Sequence, residues 1–451
     1  MRSVNPATGE SIRDFTAHSD DEVQSHIDSA NRAFQDWKDR SFEERADLFR
    51  NLAELLRDGA GELAKLMTAE VGKPIEQARG EAEKCGWVCE YFADHAADFL
   101  EAEDVDTEAR SAQVQFEPLG AILAVMPWNF PFWQVFRFAA PTMMAGNTAL
   151  LTHASNVLGC AEEISALFEE ADFPEGVFDH LNIDNETTAE VIKTPEIRGV
   201  ALTGSVGAGR SVASTAGSAL VPCVLELGGS DPFVVLDDCD VERAVEIGTY
   251  ARMMNNGQSC IAAKRFIVED GIYGEFVDRF QDAIEALTVG DPTDPDVDVG
   301  PMARADLRDE LHRQVTESID AGATCLVGGT VPQRDGYFYE PTLLVDVEPG
   351  QPAFDEETFG PAAAVIRADD TDHAIELANR STFGLGASIW TDADRGHQLA
   401  SRLQAGCVFV NQMVKSDPRL PFGGIKDSGI GRELSRHGIM EFVNKKTVWV
   451  E

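Results

Sequence analysis

The chain has 451 residues, 43% of them hydrophobic and 8% aromatic, with 78 acidic and 37 basic side chains and a formal charge of −41. The apolar share supplies a large core for two or three structural units and excludes a disordered chain. The charge argues against nucleic acid and anionic membranes as partners, and no apolar run of about 18 residues marks a membrane span.

The first third of the chain is helical. Ser41-Phe42-Glu43-Glu44 is a capping box, and Leu48, Leu52, Leu55 and Leu56 follow it on one face. Acidic residues 101–108 lead into a polar alternation ending near Phe116, a hairpin outside the main sheet. From Gly120, apolar runs at 121–126, 148–151 and 199–203 alternate with helical segments near 131–144, 157–170 and 206–216. A second alternation covers about 232–410. It opens with Phe233-Val234-Val235-Leu236, a helix near 240–254, Arg265-Phe266-Ile267-Val268 and a helix near 274–287. Such alternation predicts an α/β class with parallel sheets covered on both faces. Lys446-Thr447-Val448-Trp449-Val450 is a C-terminal apolar strand with no partner in its own sheet order. An unpaired apolar edge invites a second chain, so a homodimer or homotetramer is expected.

Only ten of the 37 basic residues are Lys, and the other 27 (37 − 10) are Arg. Self-repulsion at this charge density opposes compactness in dilute buffer, and at about 1 M salt the Debye length falls to roughly 3 Å. The surface reads as that of a salt-loving cytoplasm. The eight Cys are scattered without framework spacing, and Met1-Arg2-Ser3-Val4-Asn5-Pro6 has no apolar signal core, so a reduced cytoplasmic protein is expected. The nine His stand apart and Cys85 and Cys89 read as core, so no metal site is expected.

Cys260 is the informative thiol. It ends Asn255-Asn256-Gly257-Gln258-Ser259-Cys260, 34 positions (260 − 226) after Glu226 in Glu226-Leu227-Gly228-Gly229, and downstream of Pro127-Trp128-Asn129-Phe130-Pro131. A thiolate attacks carbonyls. An Asn amide can hold the resulting oxyanion, and a Glu can accept a proton from the thiol or from a hydrolytic water. Taken singly, these are a core thiol, a capping carboxylate and a turn residue. Their conjunction points to aldehyde oxidation through a covalent intermediate. Gly204 and Gly209 follow an apolar run and flank Ser205-Val206-Gly207-Ala208. Glycines there admit a pyrophosphate at a helix N-terminus, although a plain β–α turn has the same spelling.

These motifs resemble the aldehyde dehydrogenase superfamily, from Val4-Asn5-Pro6-Ala7-Thr8-Gly9-Glu10 to Thr447-Val448-Trp449-Val450. Thr203-Gly204-Ser205, Glu357-Thr358-Phe359-Gly360-Pro361 and Pro421-Phe422-Gly423-Gly424 complete the ordered set. Within it, Phe130-Pro131-Phe132-Trp133-Gln134-Val135 and Leu225 to Phe233 look most like the short succinate-semialdehyde dehydrogenases. The resemblance implies an aldehyde dehydrogenase-like fold. It would have a Rossmann-type dinucleotide domain (1–100 and 119–227), an α/β catalytic domain (228–430) and a small β oligomerisation element (101–118 and 431–451). It implies Cys260 as nucleophile, Glu226 as general base, and Asn129 with the Cys260 N–H as oxyanion donors. Trp128, Gly204, Ser205, Gly209, Leu227, Glu357 and Phe359 would contact the cofactor, with Glu357 on the nicotinamide ribose and Phe359 against the ring.

Two places depart from the family's usual pattern. Thr152 stands where a Lys usually contacts the adenosine ribose or its phosphate. Ser155 stands where NAD-preferring members carry an acidic residue that repels a 2′-phosphate. The acidic gate is open and the cation absent, so the cofactor is NAD or NADP, with NADP or dual use favoured. On the substrate side, Arg137 matches the residue that holds a distal carboxylate in the succinate-semialdehyde enzymes, beside Trp133 and supplemented by Ser416. Met254 replaces a second Arg often found there, and Ala262 replaces a redox-switch Cys. The expected reaction is NAD(P)-dependent oxidation of a small aldehyde with a distal carboxylate, succinate semialdehyde first. Another small aldehyde is the alternative. A non-redox thiol hydrolase and a non-catalytic binding protein are the readings of other classes.

Overall fold

The computed structural model describes residues 1–451, and two mainly parallel sheets organise it. The first has six strands in the order Phe178–His180, Thr148–His153, Ala121–Met126, Ile197–Thr203, Cys223–Glu226 and Gly429–Ile430. The first five are parallel, and Gly429–Ile430 closes the edge antiparallel to Cys223–Glu226. These strands are continuous apolar runs because helices cover both faces. The chain winds outward from Ala121–Met126 on one side, then restarts at Ile197–Thr203 on the other. That reversal opens a crevice beyond the carboxyl ends of these two neighbouring strands.

The Trp133–Met144 helix has all its residues buried and matches a segment that is apolar all round. Its first turn donates the Phe132 and Trp133 N–H groups to Glu81 Oε1 at 3.0 and 2.9 Å. A carboxylate at a helix N-terminus offsets the dipole and satisfies orphan donors. Lys73 pairs with the other Glu81 oxygen, so this buried charge is balanced. The expected capping box at Ser41 and Glu44 is formed, and Ser19 with Glu22 makes a second one.

The second sheet has seven strands: Thr324–Val327, Thr342–Val345, Ala362–Ala368, Ala263–Glu269, Asp231–Val235, Gly386–Trp390 and Cys407–Val410. Only Thr324–Val327 runs antiparallel to its neighbour.

Two expectations are corrected. The C-terminal strand has a partner in its own chain: Val443–Val450 pairs antiparallel with Ser111–Pro118 over its whole length, and Glu103–Asp104 completes a third sheet. The partner lies more than 300 residues upstream, a separation that strand order in the sequence does not reveal. The outer edge of Val443–Val450 stays unpaired, and Trp449 and Val450 are 44% and 43% exposed. Secondly, the stretch expected to end the catalytic unit at residue 430 leaves it earlier. Gly429–Ile430 belongs to the first sheet, and Phe422 joins the first unit's core with Leu434 and Ile439.

Candidate active site

Cys260 follows three successive residues in the left-handed region, Asn255, Asn256 and Gly257, with φ of 55°, 58° and 72°. Asn tolerates that region better than other L-residues, and local hydrogen bonds offset the strain. Asn255 Nδ2 donates to Asn129 O at 2.8 Å and Gln258 O at 3.0 Å. Asn256 Nδ2 donates to Gly72 O and Pro301 O, both at 2.8 Å. At Gly257 a Cβ would collide with the Gly360 carbonyl, so this position requires glycine for both conformation and space. Buried Arg252 donates to Gly257 O, Thr358 O and Gly360 O, tying the thiol loop to the Glu357–Pro361 motif. Lys264 Nζ donates to Ser259 O and Cys260 O at 2.9 and 2.7 Å and lies 3.5 Å from Glu357.

Burial pushes the Cys260 thiol up to about 12, against the opposing pull of Arg137 and Lys264. At neutral pH the resting thiol keeps its proton, and a base is needed to remove it. The Cys260 N–H donates to no group of the protein. Asn129 Nδ2 reaches Gln258 O at 3.0 Å, while Gln134 Nε2 donates to Asn129 Oδ1 at 3.1 Å. Gln134 thereby fixes which end of the Asn129 amide faces the thiol loop.

Two cavities meet at Cys260 and Gln134. One, of about 490 Å³, is lined by Trp128, Gly204, Ser205, Leu227, Glu357 and Phe359, and also by Asn129. Trp128 and Phe359 meet edge to face, 5.7 Å between ring centres. Ser205 caps the Val206–Ala219 helix, accepting from Ala208 N at 3.3 Å, and a Cβ at Gly207 would meet nothing closer than 4.0 Å. An open glycine at a helix N-terminus is what a dinucleotide pyrophosphate requires, so this wall fits such a cofactor. Gly209 lies behind the wall, where a Cβ would come within 2.5 Å of Leu227. Glu357 Oε1 accepts from Gly229 N at 3.0 Å. Thr152 and Ser155 are not among the lining residues: Thr152 is buried on its strand opposite Val125, and Ser155 is exposed just beyond it.

The other cavity, of about 500 Å³, is lined by Trp133, Arg137 and Ser416 as expected, with Met254 and Phe422 beside them. Arg137 is already engaged. Its Nε contacts Glu433, Nη2 donates to Thr203 Oγ1 at 3.3 Å, and the guanidinium lies 4.7 Å over the Phe422 ring. Nη1 has no protein acceptor.

Glu226 lines neither cavity. It ends its strand with both carboxyl oxygens buried and without hydrogen bonds, and a Cβ on Gly423 would sit 2.5 Å from Oε1. Burial and the neighbouring Glu433 carboxylate hold its carboxyl well above the usual range, with Arg137 and Arg432 opposing. To act on Cys260 it must turn from this retracted position.

Reasoning from sequence did not single out Lys84, Gln134, Arg252, Lys264 or Glu433 as site residues. Lysine scarcity was the available signal: of ten lysines, Lys73 and Lys264 are fully buried and Lys84 half-buried, all beside the site.

The family model described as the aldehyde dehydrogenase family matches residues 1–448. A Synechocystis sp. protein named "Probable succinate-semialdehyde dehydrogenase", NADP(+), is 50% identical over 100% of this chain and 99% of its own length. The Escherichia coli succinate semialdehyde dehydrogenase, NAD(P)+, is 48% identical over 99% and 97%. The crystal structure of succinic semialdehyde dehydrogenase from Streptococcus pyogenes in complex with NADP+ superposes with a TM-score of 0.97 at 33% identity, covering 100% of this chain and 99% of that one. The fold agrees with these matches: the chain belongs to the aldehyde dehydrogenase family.

Proposed function

We propose that the protein oxidises succinate semialdehyde to succinate, using NADP or NAD. The observation that carries this reading is the position of Cys260, where a glycine-lined cavity at a helix N-terminus meets one holding an aromatic wall and cations. The names of full-length relatives near 50% identity support the same substrate and cofactors. Trp128, Gly204, Ser205, Leu227, Glu357 and Phe359 would hold the nicotinamide end, with Gly209 letting Leu227 close over it. Thr152 and Ser155 would lie toward the adenosine end. When bound, the dinucleotide supplies the acceptor for a hydride.

The chain's own groups then divide the work. Cys260 Sγ bonds to the aldehyde carbon as its proton passes to Glu226, turned toward the thiol, and on to solvent, and the carbonyl oxygen becomes the oxyanion of a thiohemiacetal. Asn129 Nδ2 and the Cys260 N–H are the donors for that oxyanion. Loss of the aldehydic hydrogen as hydride leaves a thioester on Cys260. Glu226, turned toward the thiol, deprotonates a water that attacks the thioester, releasing succinate and the thiol. A carboxyl raised by burial is a stronger base once ionised, which suits this step. Arg137 and Ser416 would face the distal carboxylate.

Initial rates with succinate semialdehyde, glutarate semialdehyde and acetaldehyde, each with NAD and NADP at high KCl, test the reading. The expected result is the highest kcat/KM for succinate semialdehyde, with NADP at least equal to NAD. Equal rates on all three aldehydes would reduce the assignment to aldehydes in general. Acid release without reduced cofactor would favour a thiol hydrolase. We further infer an oligomer through the free edge of Val443–Val450, and a monomer mass by light scattering at high salt would remove it.

A further inference from the structure

Every fully buried cation around this site has its partner. Lys73 has Glu81 and Arg137 has Glu433. Lys264 has two carbonyls and Glu357, and Arg252 has three carbonyls. Lys84 is different. It stands on the Ile75–Phe99 helix, lines the 500 Å³ cavity that ends at Cys260, and makes no ion pair. Its Nζ donates to Ser416 Oγ at 2.8 Å and lies 3.9 Å over the Trp133 ring. An ammonium has three donors, and here one is used by the protein.

The two carboxylates whose charge acts on Lys84 are committed elsewhere. Glu81 holds Lys73 and the first turn of the Trp133–Met144 helix, and Asp417 is paired with Arg419. Glu76, which lines the same cavity, is paired with Arg79. In a chain with 78 acidic and 37 basic residues, a cavity-lining lysine without an ion pair is conspicuous. Burying an ammonium is unfavourable unless an anion or several acceptors join it. Arg137 lines the same cavity as Cys260 and Lys84.

Resting on the substrate reading above, we propose that Lys84 Nζ, set in place by Ser416 and Trp133, binds the distal carboxylate and selects an anionic aldehyde. The carboxylate lies between Lys84 Nζ and Arg137 Nη1, and Ser416 acts chiefly by fixing the lysine. Burial, then Arg137, lowers the Lys84 ammonium to about 8. The charged and titratable groups that act on it are Glu81 and Cys85 on its own helix, Arg137 on the facing helix and Asp417 on the loop, and Glu76, Tyr250, Cys260 and Lys415 line the same cavity. The sign follows from this lowering: the ammonium is present below about pH 8 and lost above it, and anion binding is lost with it.

The test compares kcat/KM for succinate semialdehyde and for butanal, its neutral four-carbon analogue, in wild type, Lys84→Met and Lys84→Arg. In Lys84→Met the ratio of the two should fall about ten- to hundredfold through KM for succinate semialdehyde. Lys84→Arg should restore most of it. In wild type the ratio should decline as pH rises through about 8, and in Lys84→Arg it should stay flat. Equal losses on both aldehydes, or an unchanged ratio in Lys84→Met, would overturn the proposal while the substrate reading stands. A wild type that does not prefer succinate semialdehyde to butanal would overturn the substrate reading itself, and the role of Lys84 with it.

Discussion

The two cavities that share Cys260 are built by different means. The cofactor side is made of contiguous motifs at the ends of neighbouring strands: Trp128 and Asn129 after Ala121–Met126, Gly204 and Ser205 after Ile197–Thr203, Leu227 after Cys223–Glu226. It joins a glycine-rich helix N-terminus to the side chains of Trp128, Glu357 and Phe359. The substrate side is made of single side chains from separate elements: Lys84 from one helix, Trp133 and Arg137 from another, Ser416 and Phe422 from a late loop. A phosphate cradle built from backbone and glycine accepts one ligand class, whereas a wall of side chains from separate elements can be respecified one residue at a time. Retaining the first and varying the second is a physical route to new aldehyde specificity on one frame.

The largest expected effect breaks both sides at once. Cys260→Ala should lower kcat by at least about 10⁴-fold while leaving dinucleotide binding measurable by fluorescence or calorimetry. Turnover near that of wild type would move the nucleophile elsewhere. Next, Glu226→Gln should slow thioester hydrolysis by about 10²- to 10⁴-fold and give a burst of reduced cofactor followed by slow turnover. A normal steady-state rate would show that another base serves.

Arg137→Leu sharpens the substrate side. It should cost roughly ten- to hundredfold in kcat/KM on succinate semialdehyde. It should also slow butanal, because Glu433 is then left buried without its cation beside Glu226. Equal losses on both aldehydes would make Arg137 purely structural. On the cofactor side, Ser155→Glu should lower kcat/KM for NADP about tenfold relative to NAD, by repulsion of a 2′-phosphate. An unchanged ratio would show that Ser155 does not face the adenosine ribose.

The smallest effect tests whether the comparison survives outside the site. Transfer from about 2 M to about 0.05 M salt should lower the melting temperature, because surface repulsion is then weakly screened. The preference for succinate semialdehyde should change little across the same range, since buried pairs are poorly screened. A melting temperature independent of salt would remove the salt-loving reading.

Much of the fold was legible because parallel strands buried on both faces leave continuous apolar runs. Those at 121–126 and 199–203 match strands Ala121–Met126 and Ile197–Thr203 closely. The thiol was legible from its conjunction with Glu226 and Asn129, whereas the three left-handed conformations in a row at Asn255, Asn256 and Gly257 came from the structure. By contrast, the pairing of Val443–Val450 with Ser111–Pro118, and the return of Gly429–Ile430 to the first sheet, depend on contacts that span hundreds of residues. No local pattern encodes such a pairing.

The same division separates what was decided at the site. By itself the sequence determined the chemistry, since a thiol, an amide and glycine turns carry their reactivity and backbone demands wherever they fall. Only the tertiary structure decided which charges are free. Arg137 and Lys84 are both cations on helices, yet folding brings Glu433 to the first and only a hydroxyl and an indole to the second. It also withdrew Glu226 from both cavities and placed it beside Glu433. Partner choice among buried charges is a property of packing, because desolvation makes each charge depend on whichever distant residue the fold sets against it.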